Sequence, residues 1–361
     1  MGFKIIFMEF PIILSEGSYT QEDLDFLMKN NEVVKTVDIY AQQMAEYFEI
    51  SNPALKGSVE LPGAAKKYVD ENVSKGSLVG NWIYYPWSKI LVHSVTEDKY
   101  FQLRTNRNKN LIDAKEQEKL YNLNVGVLGL SIGSSMSTSL AYSAIAGHMK
   151  LADFDTLSTS NLNRLKAKMS DVGRKKIEIA AEQIFEINPY QSLKLFENGV
   201  DKNSLENFLT EDPKPELIFE AIDDFETKIR LRMVARDLGI PVIMLTNLGD
   251  SLLIDVERYD KDKTTPILNG MIDQSVVEEI LSGSCSEADK NRFAVQVVGV
   301  ENVPKRAMAS LKEIGSSLVG RPQLMSTVTV GGGLASFLAR KIALGEDLPS
   351  GRKIIKLDEL I

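Results

Sequence analysis

The stretch Asn124-Val-Gly-Val-Leu-Gly-Leu-Ser-Ile-Gly-Ser-Ser-Met136 decides how this chain is read. Its opening, the run of apolar and small residues from Val125 to Leu130, is too short and too β-branched for a helix and leads into glycine, so it reads as a buried strand. Gly129, Ser131, Gly133 and Ser134 then make a tight turn into Met136 to Ala146, a small-residue helical pattern able to lie close on a sheet. That helix is expected to end near Gly147. Met149 to Ala152 follow as a second short strand, which ends in Asp153-Phe-Asp155. The result is a βαβ unit with acids at the tip of its second strand.

Backbone geometry gives such a unit a use. The first turn of a helix carries unpaired amide hydrogens, and a turn without bulky side chains lets a phosphate approach them. An acid at the next strand tip accepts hydrogen bonds from ribose hydroxyls, so the expected ligand is a nucleotide. The glycine fingerprint is altered, however: Gly129-Leu-Ser131-Ile-Gly133-Ser134 has serine in the second and third glycine positions. Taken alone, this piece reads equally as a plain tight turn in a parallel sheet.

Composition sets outer bounds. The 361 residues allow one large domain or two ordinary ones, and 43% hydrophobic with 25% charged residues is a globular balance. The net charge of −8, without a long basic run, argues against nucleic-acid binding. Ile5 to Leu14 is apolar but carries Glu9 and Pro11 and is too short to span a bilayer; it reads as a strand or packed arm, and the chain as cytoplasmic. The single cysteine, Cys285, excludes an internal disulfide, and no Cys-x-x-Cys pair exists to hold zinc. With only His93 and His148, a histidine-rich metal site is excluded.

Ahead of the βαβ unit, Gln21 to Asn30, Val34 to Ile50 and Ala64 to Val73 look helical. Trp82-Ile-Tyr-Tyr-Pro-Trp87 cannot run as a central strand through Pro86; its aromatics suit core and edge packing, or a ligand stack. Arg104-Thr-Asn-Arg107 is either solvated surface or within reach of a phosphate, and Leu111 to Leu120 has a helical charge pattern. Behind the unit, Ile177 to Ile187 is an amphipathic helix, Leu193 to Phe196 a strand and Lys202 to Leu209 a short helix. Glu216 to Ile222 is a strand ending in Asp223-Asp224, Glu226 to Leu238 a helix capped by Gly239, and Pro241 to Thr246 the next strand. Strands alternating with helices from Val125 to Thr246 argue for an α/β, doubly wound, mostly parallel sheet, with its site at the carboxyl ends of the strands. Further on, Leu252 to Glu257 reads as a strand, Gln274 to Leu281 as a helix, Gly283 to Lys290 as a polar loop, Arg292 to Val300 as a strand and Gln323 to Gly345 as a long helix.

Asp153-Phe-Asp155-Thr-Leu-Ser-Thr-Ser-Asn161-Leu-Asn163-Arg164 closely resembles the Asp-x-Asp and Ser-Asn-Leu-x-Arg signature of the ThiF, MoeB and HesA family, the adenylating enzymes of the ubiquitin-activating superfamily. Gly173 to Lys176, Ile222-Asp223-Asp224 and Arg104-Thr-Asn-Arg107 are similar to further family motifs. The likeness implies a Rossmann-type adenylation domain over 104–361, preceded by a mixed α/β extension over 1–103 that is expected to set specificity. It also implies ATP-dependent adenylation of a carboxylate with release of pyrophosphate, for which positioning and positive charge are the main catalytic terms. By that resemblance Gly129, Ser131 and Gly133 form the phosphate turn, and Asp153, with Asp155 beside it, holds the ribose. Asn161, Arg164 and Lys176 hold the phosphates, and Asp223 a Mg2+ bridging phosphate oxygens. Arg107, with Arg104 beside it, is an arginine finger delivered by the second subunit of a homodimer. The activated acid is the C-terminus of a ubiquitin-like or sulfur-carrier protein, a peptide or a small acid.

The sequence departs from the family at Asp224, where Asn is usual, and in lacking the paired Cys-x-x-Cys motifs, so zinc is not expected. Cys285 is the one residue able to carry a thioester, although nothing near it in sequence lowers its pKa and a spectator thiol reads as well. A nicotinamide-dependent oxidoreductase and a nucleotide-binding pseudoenzyme that docks a partner stay open as alternatives.

Overall fold

In the computed structural model, which describes residues 8–360 apart from Lys75, Ser77 and Ser284, the chain divides into two units, one reaching to Gln117 and one beginning at Glu118. The first contains β1 (Ile12–Leu14), α1 (Gln21–Asn30), β2 (Lys35–Asp38), α2 (Tyr40–Ser51), α3 (Leu61–Val73), β3 (Asn81–Tyr85), β4 (Ile90–Ser94), α4 (Glu97–Thr105) and the start of α5 (Ala114–Tyr121). Its four-stranded sheet has the order β1-β3-β4-β2, with β2 parallel to β4 and the other pairs antiparallel.

β3 stops at the residue before Pro86, as a ring nitrogen without a hydrogen requires. Trp82 stacks on His93 with ring centroids 4.3 Å apart, and Tyr84 and Tyr85 are buried, so this aromatic cluster is core packing. One expectation is corrected here: Val34 to Ile50 is not a single helix. Lys35–Asp38, with β-branched Thr36 and Val37 at its centre, pairs with β4, and Asp38 accepts the Tyr40 amide at 3.1 Å to turn the chain into α2. Of the apolar stretch Ile5 to Leu14, Ile12–Leu14 is β1, while Ile5, Ile6 and Phe7 lie outside the described residues.

The second unit runs β5 (Asn124–Leu128), α6 (Ile132–Tyr142), β6 (His148–Ala152), α7 (Lys176–Ile187), β7 (Ser192–Phe196), α8 (Leu205–Thr210), β8 (Leu217–Glu220), α9 (Phe225–Leu238), β9 (Val242–Leu248) and β10 (Ser251–Glu257). Then come α10 (Gln274–Leu281), α11 (Glu287–Val298), α12 (Lys305–Leu311), α13 (Met325–Leu344) and β11 (Gly351–Lys356). The seven-stranded sheet has the order β11-β10-β9-β8-β5-β6-β7. β9, β8, β5, β6 and β7 are mutually parallel, and β10 and β11 add antiparallel pairs at one edge. Val127, Leu128, Ile218, Phe219, Val242 and Ile243 are buried, as expected for central parallel strands covered on both faces. α13 lies against α6 because Gly332 has no side chain: a Cβ there would sit 2.5 Å from the Ser135 hydroxyl.

Three boundaries differ from the sequence reading. α6 ends at Tyr142 rather than near Gly147, since Ala144 and Ala146 take left-handed backbone angles. The polar stretch Gly283 to Lys290 is not loop throughout, because α11 begins at Glu287. Arg292 to Val300 is not a strand either; most of it lies inside that same helix. Ser286 caps α11 by accepting the Asp289 amide, Asp289 returns the bond, and Phe293 and Val297 bury one face at helical spacing.

Candidate functional site

The strand order places the reversal of winding between β5 and β8, and ligands of open parallel sheets bind outside the carboxyl ends at such a point. The two tips touch. Gly129 has φ +83, and a Cβ on it would lie 2.4 Å from the Ala221 carbonyl oxygen just past β8. Ser131 caps α6 without a side-chain hydrogen bond, which leaves the amides of the first turn without a side-chain acceptor. Gly133, one position into the helix, lies against Val127 of β5. Below the turn a cavity of about 20 Å³ is lined by residues including Leu130, Ser134, Lys166 and Lys176.

Asp153 ties the tip of β6 to this turn. One of its oxygens accepts the Leu130 amide at 2.6 Å and the other the Asp155 amide at 2.8 Å. The residue is 8% exposed, and burial raises its pKa while the two amides and the Lys176 charge act the other way. Asp155 stands further out and receives the Lys176 ammonium at 2.6 Å. Lys176 is held there by its own amide, which donates to the Asp155 carbonyl at 2.9 Å at the start of α7.

The segment after β6 builds the next part. Asn161 accepts the Ser158 amide at 3.1 Å and closes a short 3-10 turn. Arg164 follows it, donating to the Ser160 carbonyl at 3.2 Å and to Asn163 at 2.9 Å, while its Nε is buried without a partner. Burial lowers the Arg164 pKa and the negative charge of Asp223 raises it, so these two side chains feel one another across the strand tips. Asp223 is 89% exposed and receives Arg321 Nη2 at 2.7 Å. Two residues later the Gln323 carbonyl accepts Asn163 Nδ2 at 2.8 Å. The segment before α13 therefore bridges the β6 and β8 sides of the site.

Asp224, the departure from the family pattern, caps α9 by accepting the Thr227 amide at 2.8 Å. Lys228, one turn into α9, lies under the tip and donates to both oxygens of Glu220, at 2.6 and 2.7 Å. Glu220 also accepts Arg232 at 2.8 Å and the Ile222 amide at 2.7 Å, which fixes the residue before Asp223. Burial alone pushes the Glu220 carboxyl up, but the Lys228 and Arg232 charges outweigh it and leave its pKa below the ordinary range. Beside Asp223, on the β9 flank, a cavity of about 300 Å³ is lined by residues of β9, α9, α11 and α12 together with Arg321.

Gly129, Ser131, Gly133, Asp153, Asp155 and Asp223 thus follow neighbouring strands of one sheet, while Asn161, Arg164 and Lys176 lie on the segment from β6 to the start of α7. Arg107 is exposed in a 3-10 turn of the first unit, and Arg104 packs over the Tyr100 ring. Cys285 donates to the Glu279 carbonyl at 3.4 Å and packs against the cluster containing Ile280 and Phe293. Sequence reasoning missed Arg321, the Glu220–Lys228 pair and the larger cavity. Among the described residues no group of three or more His, Cys, Asp or Glu is placed to hold a metal ion, and no helix is long and apolar enough to cross a membrane.

A parallel sheet wound in both directions from β5, with a glycine turn and acids at adjoining tips, defines a Rossmann-type α/β protein. The chain belongs to the ThiF family, whose model matches residues 104–356. An uncharacterized protein of Mycobacterium tuberculosis, MT1398, is 35% identical over 271 residues, covering 75% of this chain. The match spans only 37% of that relative's own length. A molybdopterin-synthase adenylyltransferase of Haemophilus influenzae is 27% identical over 225 residues, 61% of this chain and 88% of the relative. Among solved structures, E. coli MccB with ATP shares the fold with TM-score 0.50 at 17% identity, over 89% of this chain and 85% of that one.

Proposed function

We propose that this chain is an ATP-dependent adenylyltransferase that activates a carboxylate as its acyl-adenylate. The observation that carries the reading is the hydrogen-bonded chain at the tips of a glycine-turn sheet that runs from Arg164 to Asn163, from Asn163 to Gln323, and from Arg321 to Asp223. Family membership and the adenylyltransferase named among its relatives support it. In the reaction a carboxylate oxygen bonds to the α-phosphorus while the bond from that phosphorus to the bridging oxygen breaks, and pyrophosphate leaves with the electron pair. Two anions must meet, so fixed positive charge and positioning are what the protein supplies.

The groups divide that work. The first-turn amides of α6 and Lys176 face the phosphates, Asp153 braces the turn, and Asp155 stands where ribose hydroxyls reach it. Asn161 shapes the turn that aims Arg164, and Arg321 adds a cation beside Asp223. With ATP bound as its Mg2+ complex, the exposed Asp223 carboxylate would help hold the ion, which would supply neutralising positive charge. Arg107 acts as an arginine finger from the second subunit of a homodimer. The acceptor is a peptide or protein C-terminus, and the first unit contributes to its choice. Cys285 is assigned no thioester, since its thiol is half-buried and already donates to a carbonyl.

ATP–pyrophosphate exchange across a panel of carboxylates tests this reading. Exchange that depends on one carboxylate supports it. A chain that binds ATP without exchange is a pseudoenzyme, and one that takes a nicotinamide dinucleotide instead is an oxidoreductase.

A further inference from the structure

The 300 Å³ cavity beside Asp223 has a polar mouth and an apolar interior. At the mouth, Asp223 and Arg321 pair in solvent, so Arg321 is free to exchange its partner for another carboxylate. The other cation on the wall, Lys228, is committed to Glu220. Inside, the wall is Met244 of β9, Val297 and Val298 of α11, Val303, and Leu311 of α12. Asn247, also on the wall, has a side-chain oxygen that is buried without a hydrogen-bond partner. An orphaned buried acceptor is costly unless a ligand satisfies it, and a carboxamide matches the donor and acceptor of a peptide group.

Building on the adenylation reading, we infer that this cavity receives the C-terminal residue of a peptide acceptor and selects an apolar side chain there over glycine. The carboxylate stays at the mouth with Arg321, beside the Asp223 end of the nucleotide site. The side chain fills the apolar interior, and the peptide N–H reaches Asn247. The volume is at the lower end of the range of about 300–1,000 Å³ for small-ligand sites, room for one residue rather than a folded partner. A tail ending in glycine leaves the Met244–Val298 wall uncovered.

Pyrophosphate exchange driven by acetyl-Gly-Gly-Leu, acetyl-Gly-Gly-Phe and acetyl-Gly-Gly-Gly tests the inference on the full chain. The leucine and phenylalanine peptides are expected to exceed the glycine peptide in kcat/KM by roughly tenfold or more, the discrimination a few buried methylenes supply. Ala307→Phe, which projects a ring from α12 into the cavity, is expected to raise KM for the two larger peptides and remove the preference. Ala294→Phe from α11 carries the same test where the first variant fails to fold. Equal use of the three peptides, a glycine preference, or a preference untouched in both variants overturns the inference while leaving adenylation standing. Exchange with no carboxylate whatever overturns adenylation instead. The cavity is then judged by calorimetry with acetyl-Gly-Gly-Leu, where uptake blocked by Ala307→Phe supports peptide binding and no uptake overturns it.

Discussion

Arg321 Nη2 lies 2.7 Å from Asp223 Oδ1, and this contact fastens the segment ahead of α13 to the tip of β8. Both side chains are well exposed, so the pair is worth only about 0–1 kcal/mol to the fold. Arg321→Ala is therefore expected to unfold in urea close to wild type yet slow pyrophosphate exchange by roughly 10²-fold, the usual cost of one donor lost from a charge-stabilising site. An equal loss of stability and activity would make Arg321 a structural residue.

The contact between the β5 and β8 tips requires glycine at 129. Gly129→Ala forces a side chain to φ +83 and into the Ala221 carbonyl, and is expected to cost at least about 1–3 kcal/mol together with ATP binding. Gly333→Ala, facing open space on α13, is the control, expected to be neutral or stabilising by up to about 1 kcal/mol. Urea titration with and without ATP separates the two.

Below the tip, Lys228 and Glu220 form a buried pair. Lys228→Ala leaves the Glu220 carboxylate with Arg232 as its remaining cation and is expected to lower stability by about 1–3 kcal/mol. Replacing both charges, Lys228→Met with Glu220→Gln, is expected to recover part of the loss. Thermal unfolding of the single and double variants measures it; equal stability of all three proteins would mean the pair is not buried.

Asp153 gives a dependence on pH. Its folded pKa is raised by burial above the ordinary aspartate value of about 3.9. A raised carboxyl contributes stability fully below the unfolded pKa and loses it as pH rises through the folded pKa. Wild type is therefore expected to lose stability relative to Asp153→Asn over that window as pH increases. Denaturant titrations of both proteins at several pH values check the difference, which should be flat if Asp153 titrates normally.

Much of this was readable from residue order. The glycine turn, the acids at 153 and 155 and the alternation from Val125 to Thr246 depend on local period and turn chemistry, and the parallel sheet follows from them. Phe293, Val295 and Val297 alternate like a strand, and the Ser286–Asp289 cap that marks a helix start was the overlooked signal. At Lys35–Asp38 the pattern was too short to separate a strand from the helix that follows. Arg321 sits in a stretch with no period, and its partner lies 98 residues away. Glu220 and Lys228 meet only because α9 folds back under β8, a relation that no local spacing encodes.

ATP–pyrophosphate exchange by the wild-type chain against Arg164→Ala and Asp223→Ala, each variant first shown folded by circular dichroism, tests most directly whether a nucleotide lies between these two side chains. Carboxylate-dependent exchange in the wild type, reduced by roughly 10²-fold or more in both variants, is the predicted result. Exchange undiminished in either variant would contradict a nucleotide held between those two side chains.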